Sequence, residues 1–165
     1  MTESDTTIAL LHDLARRPGH DEVKADFRQL LVESFGVAQD ALEFERRVPE
    51  VRGRLDALIG RTIFEAKSDL DREWADVERR MPDYLADRER EEGERFVGVA
   101  SDGRKWAVFE LNDGALTVVR RTELDPDRAE SVKFQRARGL IRTALTEAGI
   151  AKAIDALVNR LLDPA

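Results

Sequence analysis

Apolar positions recur at helical spacing at both ends of the chain and with a period of two in between. Within residues 4–16, Ile8, Leu11, His12, Leu14 and Ala15 predict one helix, which Pro18-Gly19 stops. A second helix is expected over 21–34, capped by His20 or Asp21, with Val23, Phe27, Leu30 and Leu31 as its buried stripe and Gly36 at its end. Residues 42–46 alternate apolar and charged until Pro49 interrupts them. A hairpin is then expected from about 52 to 67, because glycine at the first position of Gly60-Arg61 suits a type II′ turn. A long polar helix over 69–91 places Leu70, Trp74, Val77, Met81 and Leu85 inward, with Pro82 set to kink or split it. Two further hairpins follow: 96–100 against 106–109 around a type I′ Asp102-Gly103 turn, then 116–119 after Asn112-Asp113-Gly114. The chain closes in helices over 127–147 and 150–162, separated by Gly149. Helices, strands, helix, strands, helices: this order predicts an α/β (α+β) sandwich with a central sheet flanked by helices.

Composition narrows the function classes. At 165 residues the chain can bury one sizeable core, and 37% charged residues mark a soluble globular protein. The absence of cysteine excludes disulfides and thiolate metal sites, and suits a reducing compartment. No signal peptide or membrane-spanning run is visible, so a cytoplasmic location without membrane contact is expected. His12 and His20 are the only histidines, too few for a histidine metal centre. Serine-triad, Walker-type and zinc motifs are absent. A net charge of −7 is not that of a typical nucleic-acid binder. Locally the balance differs. Arg46, Arg47, Arg52, Arg54, Arg61 and Lys67 surround the hairpin, and Arg128, Lys133, Arg136, Arg138 and Arg142 form a second basic run.

The hairpin carries the candidate chemistry. A two-residue turn at Gly60-Arg61 pairs Ile59 with Thr62, Leu58 with Ile63, Ala57 with Phe64 and Asp56 with Glu65. Paired residues share a sheet face about 5 Å apart, and Lys67, two residues beyond Glu65, projects from that face as well. Two acids and a lysine there suit a divalent cation and an activated water. Leu55, Ala57, Ile59, Phe64 and Ala66 occupy the other face and suit packing against a helix. On spacing alone, a solvated face of alternating salt bridges among Arg54, Asp56, Glu65 and Lys67 is the commoner outcome.

Asp56-x8-Glu65-Ala66-Lys67 resembles the catalytic signature of the PD-(D/E)xK, or restriction-endonuclease-like, nuclease superfamily. The segment from Gly98 to Trp106 resembles the Gly-x-Ala-(Thr/Ser)-Asp-Gly-x-x-Trp hairpin of nuclease domains in restriction–modification enzymes, particularly type IIG enzymes and type I restriction subunits. The likeness covers roughly residues 21–119. It departs at Leu55, which stands in place of proline, and at Arg80, which stands in place of glutamine in a Gln-x-x-x-Tyr pattern ending at Tyr84.

The resemblance implies a restriction-endonuclease-like mixed sheet over residues 1–125, with 126–165 as C-terminal helices leading toward a connector. It implies a Mg²⁺-dependent DNA endonuclease in which Mn²⁺ substitutes for Mg²⁺. Asp56, Glu65 and the Ala66 backbone carbonyl would hold the metal, with Glu22 or Glu33 as an added ligand and Glu22 preferred. Lys67 would orient water or offset phosphate charge, and Arg54, Arg80 and Tyr84 are candidate DNA contacts. The implied partners are double-stranded DNA, methyltransferase, specificity or helicase modules in a longer chain or partner, and a second copy on DNA. A catalytically silent scaffold of the same fold and an RNA-directed nuclease are the alternatives.

Overall fold

The computed structural model describes residues 3–37, 42–44, 47–48, 53–54 and 57–146. Helix α1 (Glu3–Ala15) and helix α2 (His20–Gln29) lead into a single π-helical turn, Leu30–Ser34. The residue that caps α2 is Gly19, in extended conformation, rather than His20 or Asp21. Asp21 and Glu22 fall instead in the first turn, where acidic side chains favour the positive end of the helix dipole.

Among the described residues six strands form one mixed sheet in the order β1-β4-β5-β6-β7-β8. They are β1 (Leu42–Phe44), β4 (Ala57–Ile59), β5 (Thr62–Ala66), β6 (Val97–Ser101), β7 (Lys105–Asn112) and β8 (Ala115–Glu123). Strands β2 (Arg47–Val48) and β3 (Gly53–Arg54) form a separate two-stranded ribbon. All neighbouring pairs in the large sheet are antiparallel except β5 and β6, which are parallel and joined through helix α3 (Trp74–Glu92). Helix α4 (Val132–Thr146) completes the described chain, beginning after a short 3₁₀ turn, Pro126–Arg128. The expected helix start at 127 is therefore early by five residues. Ser131 provides the start signal, its Oγ accepting from the Phe134 amide.

The sheet is covered on both faces. On one, Ala57, Ile59, Phe64, Val97, Val99 and Trp106 pack against apolar residues of α1, α2 and α4. Trp106 is buried among Phe27, Phe35 and Phe64, and its indole N–H donates to the Gly103 carbonyl. On the other face, Leu58, Ile63, Ala100, Ala107 and Phe109 pack against Leu70 and the α3 residues Val77, Met81 and Leu85. This is an α/β sandwich, as the element order implied. Helix α3 runs unbroken through Pro82, so the proline does not split it. Leu145, Ile141 and Phe134 of α4 belong to the same core as α1 and α2. No helix among the described residues is long and apolar enough to cross a membrane.

Turn chemistry fixes the registers. Gly60 has φ +55° and Arg61 stays at negative φ, the sign pattern of a type II′ turn, and the three pairs predicted between residues 57 and 64 form. Asp113 and Gly114 both have positive φ, so the β7–β8 hairpin turns as type I′. At the β6–β7 hairpin the expected type I′ Asp102-Gly103 turn does not form. Asp102 keeps a negative φ and donates its N–H to the Lys105 carbonyl, so Gly103-Arg104 occupy the tip. The Asp102 carboxylate accepts from the Arg104 and Lys105 amides and prefers that role to a left-handed backbone.

Candidate active site

Strand alternation puts Ile63 and Glu65 on the α3 face of β5, and Phe64 and Ala66 on the opposite face. Lys67 continues the alternation, and its N–H still donates to Ser101 as if the strand ran on. Glu65 and Lys67 therefore emerge side by side at the carboxyl end of β5, beneath α3. They do not lie on a half-exposed face. Glu65 is 5% exposed, and the Lys67 side chain 10%.

Lys67 Nζ lies 3.0 Å from Glu65 Oε1 and 2.7 Å from Asp76 Oδ2 on the first turn of α3. Asp76 also receives Arg79 at 2.5 Å and Arg80 at 3.2 Å. Burial alone would lower the Lys67 pKa, but the charges and hydrogen bonds of Glu65 and Asp76 together outweigh it and hold the ammonium above its ordinary value. The Lys67 hydrogen bond is the main force pulling the Asp76 carboxyl down to about 2. The Arg80 guanidinium is raised chiefly by its hydrogen bond with Tyr84, with Asp76 and Glu65 adding to it. Asp76, Arg80 and Tyr84 stand at i, i+4 and i+8, one stripe of α3 facing the β5 terminus.

Four of the predicted residues, Glu65, Lys67, Arg80 and Tyr84, are thus brought together. Ala66, the predicted carbonyl ligand, lies between Glu65 and Lys67 with its side chain against the opposite core. Asp56 lies outside the described residues. Arg54 falls in β3, paired with Arg47 in the same antiparallel register that joins β1 to β4. Glu22 sits on α2, whose Val23 and Phe27 pack on the other face of the sheet. Its charge acts instead on Asp26. Glu33 hydrogen-bonds Gln29 and also belongs to that side. Neither glutamate joins Glu65. Sequence reasoning missed Asp76; an acid on the first turn after a Glu-x-Lys strand was the available signal.

Among the described residues no cluster of three or more acidic or histidine side chains is arranged around a common point. The donors on hand at β5, the Glu65 carboxylate and the backbone carbonyls of its strand end, are hard oxygens, the class that Mg²⁺ prefers. In kind, then, the residues fit a divalent cation. The chain matches no protein-family model, no curated protein and no solved structure.

Proposed function

We propose that this chain is a Mg²⁺-dependent DNA endonuclease domain whose catalytic residues are Asp56, Glu65 and Lys67. The observation that carries the reading is the burial of Glu65 and Lys67 in contact at the carboxyl end of β5, faced by Arg80 and Tyr84. Glu65, Lys67 and Tyr84 are positions at which the sequence resembles the nuclease superfamily, Arg80 stands where the superfamily has glutamine, and the four come from a strand and a helix separated in the chain. The superfamily's order also fits: a helix pair, a hairpin, a helix after the Glu-x-Lys strand.

Glu65 and Asp56 would hold the ion, with the Ala66 carbonyl beside them. The ion, when bound, would supply Lewis acidity and a bound water of lowered pKa. Lys67 is protonated at neutral pH, so its part is to hold a phosphate oxygen and offset negative charge, rather than to take a proton. Asp76 positions the ammonium from the other side. Arg80 presents a second cation to the same end of the sheet, fixed by Tyr84 and Asp76. Specificity would come from methyltransferase, recognition or helicase modules in a longer chain or a partner.

A second reading is a catalytically silent module of the same fold. The Lys67 bridge to both Glu65 and Asp76 favours it, because a self-satisfied ion cluster needs no metal. Cleavage of duplex DNA with Mn²⁺, wild type against Lys67→Ala, separates the two. The enzyme reading expects cleavage by wild type and at least a hundredfold loss in the variant. Equal cleavage by both, or none by wild type, would sink it.

A further inference from the structure

The same end of the sheet carries a second polar feature, three strands away from Glu65. The registers run Glu65↔Ala100, Ala100↔Ala107 and Ala107↔Arg121, so Glu65 and Arg121 share one row and one face. The two small alanines between them make room for Leu70, which leads into α3. A bulge makes this alignment possible. Val108 pairs with Arg120 and Phe109 with Val118, which leaves Val119 as the extra residue on β8. Arg121 consequently faces α3, where its guanidinium lies 4.2 Å over the Trp74 ring.

Arg121 and Lys105 converge on one carboxylate, Asp71. Lys105 Nζ contacts Asp71 Oδ2, and Arg121 reaches Asp71 Oδ1 at 3.5 Å. All three side chains are 40–54% exposed, so the cluster is open to exchange with a ligand. They line a hollow of about 350 Å³ that opens around the β8 edge and includes Lys133 of α4. A smaller hollow of about 200 Å³ adjoins it through Glu123 and Lys133 and adds Arg104 and Arg128. Together the two present five cations against three carboxylates, in a chain whose net charge is −7. The local sign is reversed.

We infer that this groove holds the sugar-phosphate backbone of duplex DNA, with phosphate oxygens displacing Asp71 from Lys105 and Arg121. The choice of DNA rests on the nuclease reading of Glu65 and Lys67. Three strand spacings put the Arg121 row about 14 Å from Glu65. That is about four nucleotide rises along one strand at about 3.4 Å each. A duplex lying across the strands from Glu65 and Lys67 would reach Lys105 and Arg121 within half a turn. The Trp74 stack holds the Arg121 guanidinium in place before binding, which lowers the entropic cost of a phosphate contact. Asp71 acts as the internal counter-ion that a phosphodiester replaces.

The test is fluorescence anisotropy of a labelled 20-base-pair duplex with the full 165-residue chain in EDTA, across 50–200 mM salt. Arg121→Ala and Lys105→Ala should each weaken binding about tenfold at 100 mM salt. Together they should lower the slope of log affinity against log salt by about 1.8, two phosphate contacts at about 0.9 each. Arg120→Ala removes the same charge from the opposite face and should change affinity less than twofold. Asp71→Asn should tighten binding threefold or more, a gain that misfolding cannot produce. Equal effects of Arg120→Ala and Arg121→Ala, no gain in Asp71→Asn, tighter binding of single-stranded RNA than of duplex DNA, or no duplex binding by wild type would each overturn the proposal. The nuclease reading fails separately: wild type that binds through this groove but does not cleave with Mn²⁺ leaves the groove standing.

Discussion

Replacing Lys67 with methionine should cost about 3 kcal/mol of stability at pH 7, and the figure can be built from its surroundings. The methionine fills much the same volume, so lost packing contributes little. What remains is charge. Removing one partner of a buried pair costs about 3–5 kcal/mol, because the other is left uncompensated in a poor solvent. Glu65, 5% exposed and 3.0 Å from Nζ, bears most of this. Asp76 bears less, because its side chain is 29% exposed and keeps Arg79 and Arg80. The expectation therefore sits at the lower end of the range. In urea, with a slope of about 2 kcal/mol per molar, the midpoint falls by about 1.5 M. Adding Glu65→Gln to Lys67→Met removes the stranded charge and should recover about 2 kcal/mol. A single variant within 1 kcal/mol of wild type, or a double variant no more stable than the single, would refute the ion-cluster argument. Divalent metal extends the experiment. If the acids at β5 bind Mg²⁺ with a Kd of about 1 mM, 10 mM Mg²⁺ stabilises the single variant by about 1.4 kcal/mol. The silent-module reading expects no change.

Three further outcomes follow from other positions. Burial, then a hydrogen bond and charge from Asp13, then Glu22, raise the Asp26 carboxyl from 3.8 to about 7. The folded state holds that proton where the unfolded chain has lost it, so stability falls as pH rises from about 4 to about 7. With discounting for solvent screening the loss is about 1–2 kcal/mol, and Asp26→Asn should flatten it in urea melts at pH 5 and 7.5. Asp76 has the opposite sign: its contribution is present above about pH 4 and disappears as pH falls toward 2. Asp76→Asn should thus cost about 1 kcal/mol at pH 7 and nothing near pH 2, measured by the same melts. Gly103 has φ +97°, and a Cβ there would meet Leu14 Cδ1 at 2.7 Å, so Gly103→Ala should lose about 2 kcal/mol in thermal unfolding.

By itself the sequence determined whatever depends on local period and turn chemistry. Gly60-Arg61 set the β4–β5 register because only glycine takes positive φ cheaply at the first turn position. A period of two then placed Glu65 and Lys67 on one face and Phe64 and Ala66 on the other. Helical spacing marked Val77, Met81 and Leu85 as buried and left Asp76 and Arg80 on another stripe of α3. Tertiary structure decided what those faces meet. No local signal says that α3 lies over the end of β5, so the burial of Glu65 and the bridge from Lys67 to Asp76 were not legible. The side of the sheet that carries Glu22 was not legible for the same reason: α2 docks on the opposite face through Val23 and Phe27. That Arg54 pairs with Arg47 of β2 was likewise not legible. At β6–β7 the side chain of Asp102 overrode a dipeptide preference with bonds to two amides. The bulge at Val119 turned Arg121 toward Trp74, an outcome set by packing across two hairpins. Local rules choose which side chains travel together, and long-range packing chooses their company, because its free energy comes from surfaces distant in sequence.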